Sequence, residues 1–339
     1  MTDRSYAAAA SRLRTLPRPG DGNPMQALVH AATLAASSHN TQPWSFRIDA
    51  DAITISPDFS RRCPVVDPDD SHLFKSLGCA AENLAAAAPA YGLAPDIRIE
   101  SDGRVVVGLT KTAIQAGASA LKAIAERQCT KSPYDGSALA PSDSSAIESA
   151  GMGIGVRVLL IDDAKLKETI LDCVNEGNRT QLSDPAFRRE LIHWIRFNDA
   201  AAIGTGDGLG GRPSGQPQLP AWLAKPLMGF VLTPKSQMAR DTENLRSSAG
   251  IAVFIGERDN VQTSIETGRS YERFALAATE RGIRNAFINQ PIEVRRLRPQ
   301  LHAALGLKRN EVAHLMVRYG RGPLAPYSLR RPITDVQSK

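Results

Sequence analysis

The sequence predicts an α+β fold made of two similar α/β halves in one chain, with mixed, mostly antiparallel sheets flanked by helices. Three observations carry this expectation. The predicted strands fall between helices without the regular alternation that a parallel βαβ series needs. Gly78 to Leu93 (GCAAENLAAAAPAYGL) and Gly268 to Ile283 (GRSYERFALAATERGI) echo one another. Both open on Gly, place Glu four residues on, run large-Ala-apolar-Ala-Ala and end in Gly plus an apolar residue. Each also follows a strand. Two similar helices that must bury similar faces imply two similar folding units, the alternative being chance likeness between Ala-rich helices. Finally, 339 residues with 42% hydrophobic and 22% charged content suffice for a large core or two packed halves.

The elements follow in order. Residues 1–24 form an arm, a helix or a loose segment, closed by the breaker cluster Pro17 to Pro24 (PRPGDGNP). The first half is expected over 25–112. It holds a helix at about 25–35, strands at 46–48 and 53–55 around an Asp-rich turn, an alanine-rich helix at 73–90, and strands at 97–99 and 105–109. The second half is expected over 113–339. It runs through a helix at 113–128, a strand at 156–161, mostly helical residues 165–203, and an irregular Gly/Pro-rich stretch at 204–226. A strand at 251–255, a strong amphipathic helix at 265–281, a short strand at 287–288, a helix at 295–305 and a strand at 314–319 complete it. Residues 183–240 are expected to be a lid-like insertion.

Composition excludes several classes. The net charge of +6 is mild for this length, and the arginines cluster only locally, at 281–298 and 318–331. That suits small anionic ligands rather than nucleic acid. The four cysteines form no C-x-x-C pair, which fits reduced thiols in the cytoplasm. The histidines form no metal-hydrolase pair, so no metal is expected. No apolar run reaches about 18 residues, so no membrane span is expected, and the N-terminus lacks the pattern of a signal peptide.

Five segments could carry chemistry. Residues 37–44 (SSHNTQPW) follow the apolar run Leu28 to Ala36 and gather two hydroxyls, two amides and an indole. The mix suits a loop that grips a polar, uncharged ring edge, or a turn that ends a helix with Trp44 as a core anchor. Arg127 to Asp135 (RQCTKSPYD) is expected at a helix end, where Arg127 and Lys131 would share one face around Cys129. They could hold a phosphate, or form a solvated helix end favoured by the macrodipole. Leu329 to Pro332 (LRRP) is a phosphate clamp or a solvated tail. Gly282 to Pro291 (GIRNAFINQP) could bring backbone N–H groups and amides to a heterocycle, or simply connect two helices. Gly206 to Gly211 formally matches G-x-G-x-x-G, but it follows a helical stretch and precedes three prolines, which excludes a dinucleotide fingerprint.

Taken in order, these segments resemble the flavin-dependent nitroreductase superfamily, and more narrowly its internally duplicated Acg-type FMN-binding branch. Residues 36–44 match a P-S-S-x-N-x-Q-P-W loop, with Ala36 in place of proline. Arg127, Cys129 and Lys131 match R-x-S-x-K/R, with Cys in place of Ser. Residues 282–290 match a G-[LI]-x(5)-E-G turn, with Asn289–Gln290 in place of Glu-Gly. Arg330 matches the C-terminal basic element, with Arg331 beside it and Ser328 where lysine is common. The resemblance covers roughly residues 25–335.

The resemblance implies one FMN site between the halves, since the second half has no N-x-Q-P-W loop. Arg127 and Arg330, with Arg331, would hold the phosphate. Cys129 would lie near the ribityl chain or phosphate, and Lys131 near the N1–C2=O edge of the flavin. Ser37, Ser38, Asn40 and Gln42 would line the ring, and the backbone of Asn289 and Gln290 would face N5 or O4. The implied activity is that of an NAD(P)H oxidoreductase passing hydride through flavin N5 to a small aromatic nitro or quinone-like acceptor, with no side chain required as acid or base. A protein that stores FMN under a closed lid is the alternative. The expected partners are the acceptor and NADH or NADPH, on a monomeric pseudo-dimer that could dimerise further.

Overall fold

A computed structural model describes residues 3–114, 117–215, 218–223, 228 and 232–338. The first part contains α1 (Asp3–Arg14), α2 (Pro24–Thr33), β1 (Trp44–Ile48), β2 (Ala52–Pro57), α3 (Ser71–Ala87), β3 (Leu93–Ile99) and β4 (Val105–Lys111). The remainder contains α4 (Ala118–Glu126), α5 (Pro141–Gly151), β5 (Val156–Ile161), α6 (Ala164–Ser183), α7 (Pro185–Trp194), α8 (Asp199–Thr205), α9 (Pro234–Arg246), β6 (Gly250–Gly256), α10 (Val261–Glu280), β7 (Ile283–Phe287), α11 (Gln290–Glu293), α12 (Arg298–Ala304) and β8 (Val312–Arg321). The α+β class is as expected. Among the described residues, no helix is long and apolar enough to cross a membrane.

Two antiparallel four-stranded sheets organise the chain, in the orders β1-β2-β4-β3 and β5-β6-β8-β7. Each sheet therefore places its strands, taken in chain order, as first-second-fourth-third. In each, a long helix joins the second strand to the third. The first sheet buries one face: β3 alternates in and out of solvent, as a half-buried strand must. The second sheet is covered on both faces, and all seven residues of β6 are buried. This accounts for the unbroken apolar run at 251–255. One continuous core joins Trp44, Phe46 and Ile55 of the first sheet to Phe254, Leu315 and Val317 of the second through α3 and α10. A smaller cluster lies between the second sheet and α6, α12 and α9, including Ile170, Val253, Leu301 and Leu245.

The long helices α3 and α10 cross where each places a glycine against the other's backbone. A Cβ on Gly78 would lie 2.0 Å from the Ile265 carbonyl oxygen, and one on Gly268 would lie 1.9 Å from that of Lys75. These are the opening glycines of the two echoed stretches. Any larger residue there would hold the helices apart.

The structure corrects several expected elements. Arg127, Cys129 and Lys131 do not share a helix end. The helix stops at Glu126, Arg127 has φ −58° and ψ 132°, and Cys129 pairs as an isolated parallel bridge with Asn285. Pairing to the edge of β7 extends the chain and replaces helical spacing with a period of two. Helix α1 is docked rather than loose, since Tyr6 donates its hydroxyl hydrogen to Tyr327 O at 2.9 Å. Residues 183–240, expected as a lid-like insertion, lie between β5 and β6. The connection from α5 to β5 is only residues 152–155, whereas that from α2 to β1 carries the whole SSHNTQPW loop. Residues 204–215 are ordered, with Leu209–Gly210 paired in parallel to Ile195–Arg196. Much of the expected irregular stretch beyond them, 216–217 and 224–226, lies outside the described residues.

Candidate functional site

Three of the four non-glycine residues with positive φ among the described residues lie in the loop after α2. His39, Asn40 and Gln42 have φ of 48°, 54° and 53°. Left-handed conformations are uncommon for residues other than glycine and persist only where the surroundings impose them. The imposing contacts come from two distant segments. Asn40 Nδ2 donates to Gly208 O at 3.1 Å and Leu329 O at 3.2 Å, and Gly208 N donates to Asn40 O at 3.1 Å. Gln42, fully buried, donates through Nε2 to Gly206 O at 2.9 Å and accepts from Arg331 N at 2.9 Å. Arg61 donates from Nε to Thr41 O and forms an ion pair with Asp207, which also takes Arg196.

The G-x-G-x-x-G run is thus a clamp on this loop rather than a free lid. Gly206 and Gly208 have φ of +64° and +74°, and a Cβ on them would sit 2.5 Å from Arg330 O and 2.4 Å from Trp194 O. Asp207 is held below the usual carboxylate range: burial raises it, but its bonds from Arg196, Thr205 and Arg61 more than reverse that. Asn40 and Gln42 spend their amides on the protein itself. Trp44, fully buried, is a core anchor. Ser37 Oγ accepts from Gln42 N at 3.1 Å, and Ser38 lies beside Ser76 Oγ through its backbone N–H.

Beneath the loop lie three buried guanidiniums and one carboxylate. Arg127 pairs with Glu272 at 2.9 Å and donates to Leu34 O at 2.6 Å. Arg330 donates to Leu34 O and Ala35 O, both at 3.1 Å, and to Asn40 Oδ1 at 3.0 Å. Arg14 donates to Ala125 O at 2.8 Å and Arg127 O at 3.0 Å, with its guanidinium 4.1 Å over the Tyr327 ring. The Leu34 and Ala35 carbonyls end the preceding helical turn, where a cation is favoured.

The charges do not balance. Burial, then Arg14 and Arg127, push Arg330 well below its usual value. Burial and Arg127 bring Arg14 down to about 9. Burial works against the charge on Arg127, but Glu272 reverses that and holds it up. Glu272 is itself raised by burial. The Nε groups of Arg14 and Arg330 are buried without a hydrogen-bond acceptor. An excess of cations with unused donors is an arrangement that an anion completes.

The remaining expected residues divide. Cys129 is half-buried beside β7, and Lys131 is exposed. Lys131 is close enough to His39 to add to the burial that lowers the imidazole to about 4. Arg331 contacts the loop directly, donating to Gln42 O at 3.4 Å. Asn289 and Gln290 stand apart. Asn289 Oδ1 accepts from Met316 N at 2.8 Å, and Gln290 Nε2 donates to Asn178 Oδ1 and Asp241 Oδ2, both at 3.2 Å. Their side chains tie α11 to β8, α6 and α9 rather than to the 37–42 loop.

Four residues of the cluster escape the motif reading: Arg14, Arg61, Asp207 and Glu272. Glu272 carried a signal, since it is the shared glutamate of the echoed stretches. Arg14 sits in a segment that resembles no motif, and Arg61 and Asp207 are joined only by the tertiary fold.

No family model matches the chain. Two curated proteins from Mycobacterium tuberculosis, strains CDC 1551 and H37Rv, each bear the name "Putative NAD(P)H nitroreductase". Both are 22% identical over 332 residues, which cover 93% of this chain and 91% of theirs. Solved structures give similarities at lower identity. A nitroreductase with bound FMN from Bacteroides fragilis is 15% identical, covering 60% of this chain and 88% of that one, with a TM-score of 0.36. A nitroreductase-like family protein from Bacillus cereus is 15% identical, covering 67% and 96%, with a TM-score of 0.37. The NADPH:FMN oxidoreductase of Vibrio harveyi, complexed with NAD+, is 12% identical, covering 63% and 73%, with a TM-score of 0.36. The similarity to the two Mycobacterium tuberculosis proteins thus runs along nearly the whole chain.

Proposed function

We propose that this chain is an FMN-dependent NAD(P)H oxidoreductase of nitroreductase type, with one flavin site built around the 37–42 loop. The observation that carries the proposal is the buried cationic excess under that loop, where Arg14 and Arg330 have unaccepted Nε donors. FMN's phosphate is an anion of the right kind for it. Arg330 and Arg127 are assigned to hold that phosphate, with Arg14 added and Arg331 at the rim. Ser37, Ser38 and Cys129 are assigned to polar contacts along the cofactor, and the backbone at Asn289 and Gln290 to the ring edge. Asn40 and Gln42 are assigned to holding the loop in shape, because their amides are already bonded within the protein.

Bound FMN supplies a two-electron carrier that accepts hydride from a nicotinamide and yields it to an acceptor. The chain's contribution is electrostatic. Lys131 makes no hydrogen bond or ion pair among the described residues, and it can face the negative charge that reduction places on the ring. No acid–base side chain is required of the protein. The acceptor is read as a small aromatic nitro or quinone-like compound. The shared strand order and the paired glycines Gly78 and Gly268 support two halves fused in one chain, divided near residue 112. The four-residue connection at 152–155 supports a single site per chain on a monomeric pseudo-dimer.

The test is to purify the protein, record its flavin absorbance with and without added FMN, and mix the loaded form anaerobically with NADH or NADPH in a stopped-flow instrument. Rapid bleaching by either donor is expected. Failure to bind FMN overturns the proposal. FMN binding with reduction by dithionite but by neither nucleotide overturns the enzymatic part and leaves a flavin-holding protein.

A further inference from the structure

A groove lies outside the site described above. It has a volume of about 390 Å³ and is lined by Ser60, Arg62, Pro64, Val65, Ala186, Arg189, Glu190, His193 and Trp194. One wall is the segment 60–65 after β2. The other is α7, from the insertion, so the groove exists only because of that insertion. Its volume falls within the range of small-molecule sites.

The chemistry of the walls is mixed in a definite way. Two guanidiniums and an imidazole face the groove against one carboxylate, and that carboxylate is already occupied. Glu190 accepts from Val65 N at 2.8 Å and Val66 N at 3.0 Å. Arg62 is paired with Asp70 at 2.9 Å. Arg189 is exposed and makes no hydrogen bond or ion pair among the described residues, and His193 is exposed with its ring edge-on to Trp194. Pro64, Val65, Ala186 and the Trp194 indole give the apolar part. Cations beside an apolar, partly aromatic flank suit a flat ring system that carries a phosphate.

The groove is also coupled to the loop. Trp194 lies under the guanidiniums of Arg61 and Arg196, at 5.4 and 5.8 Å. Arg61 reaches from there to Thr41 O. Behind the same wall, Cys63 Sγ lies 3.6 Å from His39 Nδ1.

We infer that this groove binds a phosphorylated adenosine, with Arg189 and His193 on the phosphate and Pro64, Val65 and Ala186 against the base. Resting on the function proposed above, the groove is the docking site for the 2′-phosphoadenosine end of NADPH, and Arg189 sets the preference for NADPH over NADH.

Two measurements test it. The first is calorimetric titration of the purified protein, with and without FMN, using adenosine 2′,5′-bisphosphate, AMP and benzoate. Saturable binding of the bisphosphate, weakened about tenfold or more in Arg189→Ala, is expected. AMP binding equally well would overturn the assignment to the 2′-phosphate. Benzoate binding as tightly as the bisphosphate would overturn the nucleotide and leave a site for any aromatic anion. Absence of binding, or binding unchanged in both Arg189→Ala and His193→Ala, would overturn the site altogether. The second measurement is the ratio of kcat/KM for NADPH to that for NADH. It is expected to exceed one in the parent and to fall towards one in Arg189→Ala through KM for NADPH, with kcat unchanged. A ratio unmoved by the substitution would overturn the role of Arg189 in a protein that still binds and reduces flavin. Failure to bind FMN at all would instead overturn the function on which this step rests while leaving the titration valid.

Discussion

At the scale of single residues, the 37–42 loop shows how far a motif can be read. Its composition marked it as unusual, and its position after a helix was legible. What was not legible was that Asn40 and Gln42 would turn inward, because their partners, Gly206, Gly208, Leu329 and Arg331, lie more than 160 residues away. Asp207 is the test of that clamp. Asp207→Asn removes the charge that Arg61 and Arg196 share, and is expected to lower the unfolding free energy by about 2 kcal/mol. It should also weaken FMN by at least tenfold, measured by urea denaturation and flavin titration. Lys131→Met is expected to leave stability unchanged while lowering the flavin's reduction potential, read by spectroelectrochemistry.

The buried imidazoles give a prediction with a definite sign. His39 and His314 are each lowered from the ordinary histidine range to about 4, chiefly by burial. The unfolded chain therefore binds more protons than the folded one between about pH 6.5 and 4, and stability present above pH 6.5 is lost as pH falls through that window. Glu293 opposes this. It is raised by burial to about 7, so its contribution is present below its ordinary pKa and lost as pH rises towards 7. Asp67 and Glu272, also raised by burial, act in the same sense as Glu293, but the histidines outnumber these carboxyls, since His30, His72 and His302 are lowered as well. The urea midpoint is expected to fall from pH 6.5 to pH 4.5, and less steeply in His39→Asn, a substitution that tolerates the positive φ.

At the scale of elements, the sequence pattern located most strands and the crossing helices α3 and α10 because their burial follows a simple period. It failed where tertiary pairing replaced local preference. Residues 127–131 read as the end of the helix expected at 113–128, which would put Arg127 and Lys131 on one face, but the bond from Thr130 N to Asn285 O at 3.0 Å holds the segment against β7. It also failed at the insertion, where Gly and Pro suggested looseness. There Gly206 and Gly208 are required by close approach to Arg330 and Trp194 instead. The crossing of α3 and α10 offers the sharpest check. Gly78→Ala or Gly268→Ala puts a methyl group where a carbonyl oxygen now sits, and neither backbone can yield without parting the helices. Each is expected to cost about 3 kcal/mol in urea denaturation, whereas Gly204→Ala, with open space around it, should cost nothing measurable.

At the scale of the whole molecule, the two sheets share one strand order, yet their surroundings differ. Only the first has the long loop before its opening strand, and only the second has a long, mostly helical connection between its first two strands. Reconstitution is therefore expected to saturate at one FMN per chain, measured as flavin absorbance against protein concentration. A value of two would refute the single site. The glutamates at the helix crossing carry this difference to its root. Glu82 and Glu272 stand four residues after Gly78 and Gly268, but Glu82 takes Arg269 and Arg273 while Glu272 takes Arg127. Two identical subunits would have to give both glutamates the same partner, because one codon would serve both. Here each is encoded separately, so a substitution that suits one side of the crossing is not imposed on the other.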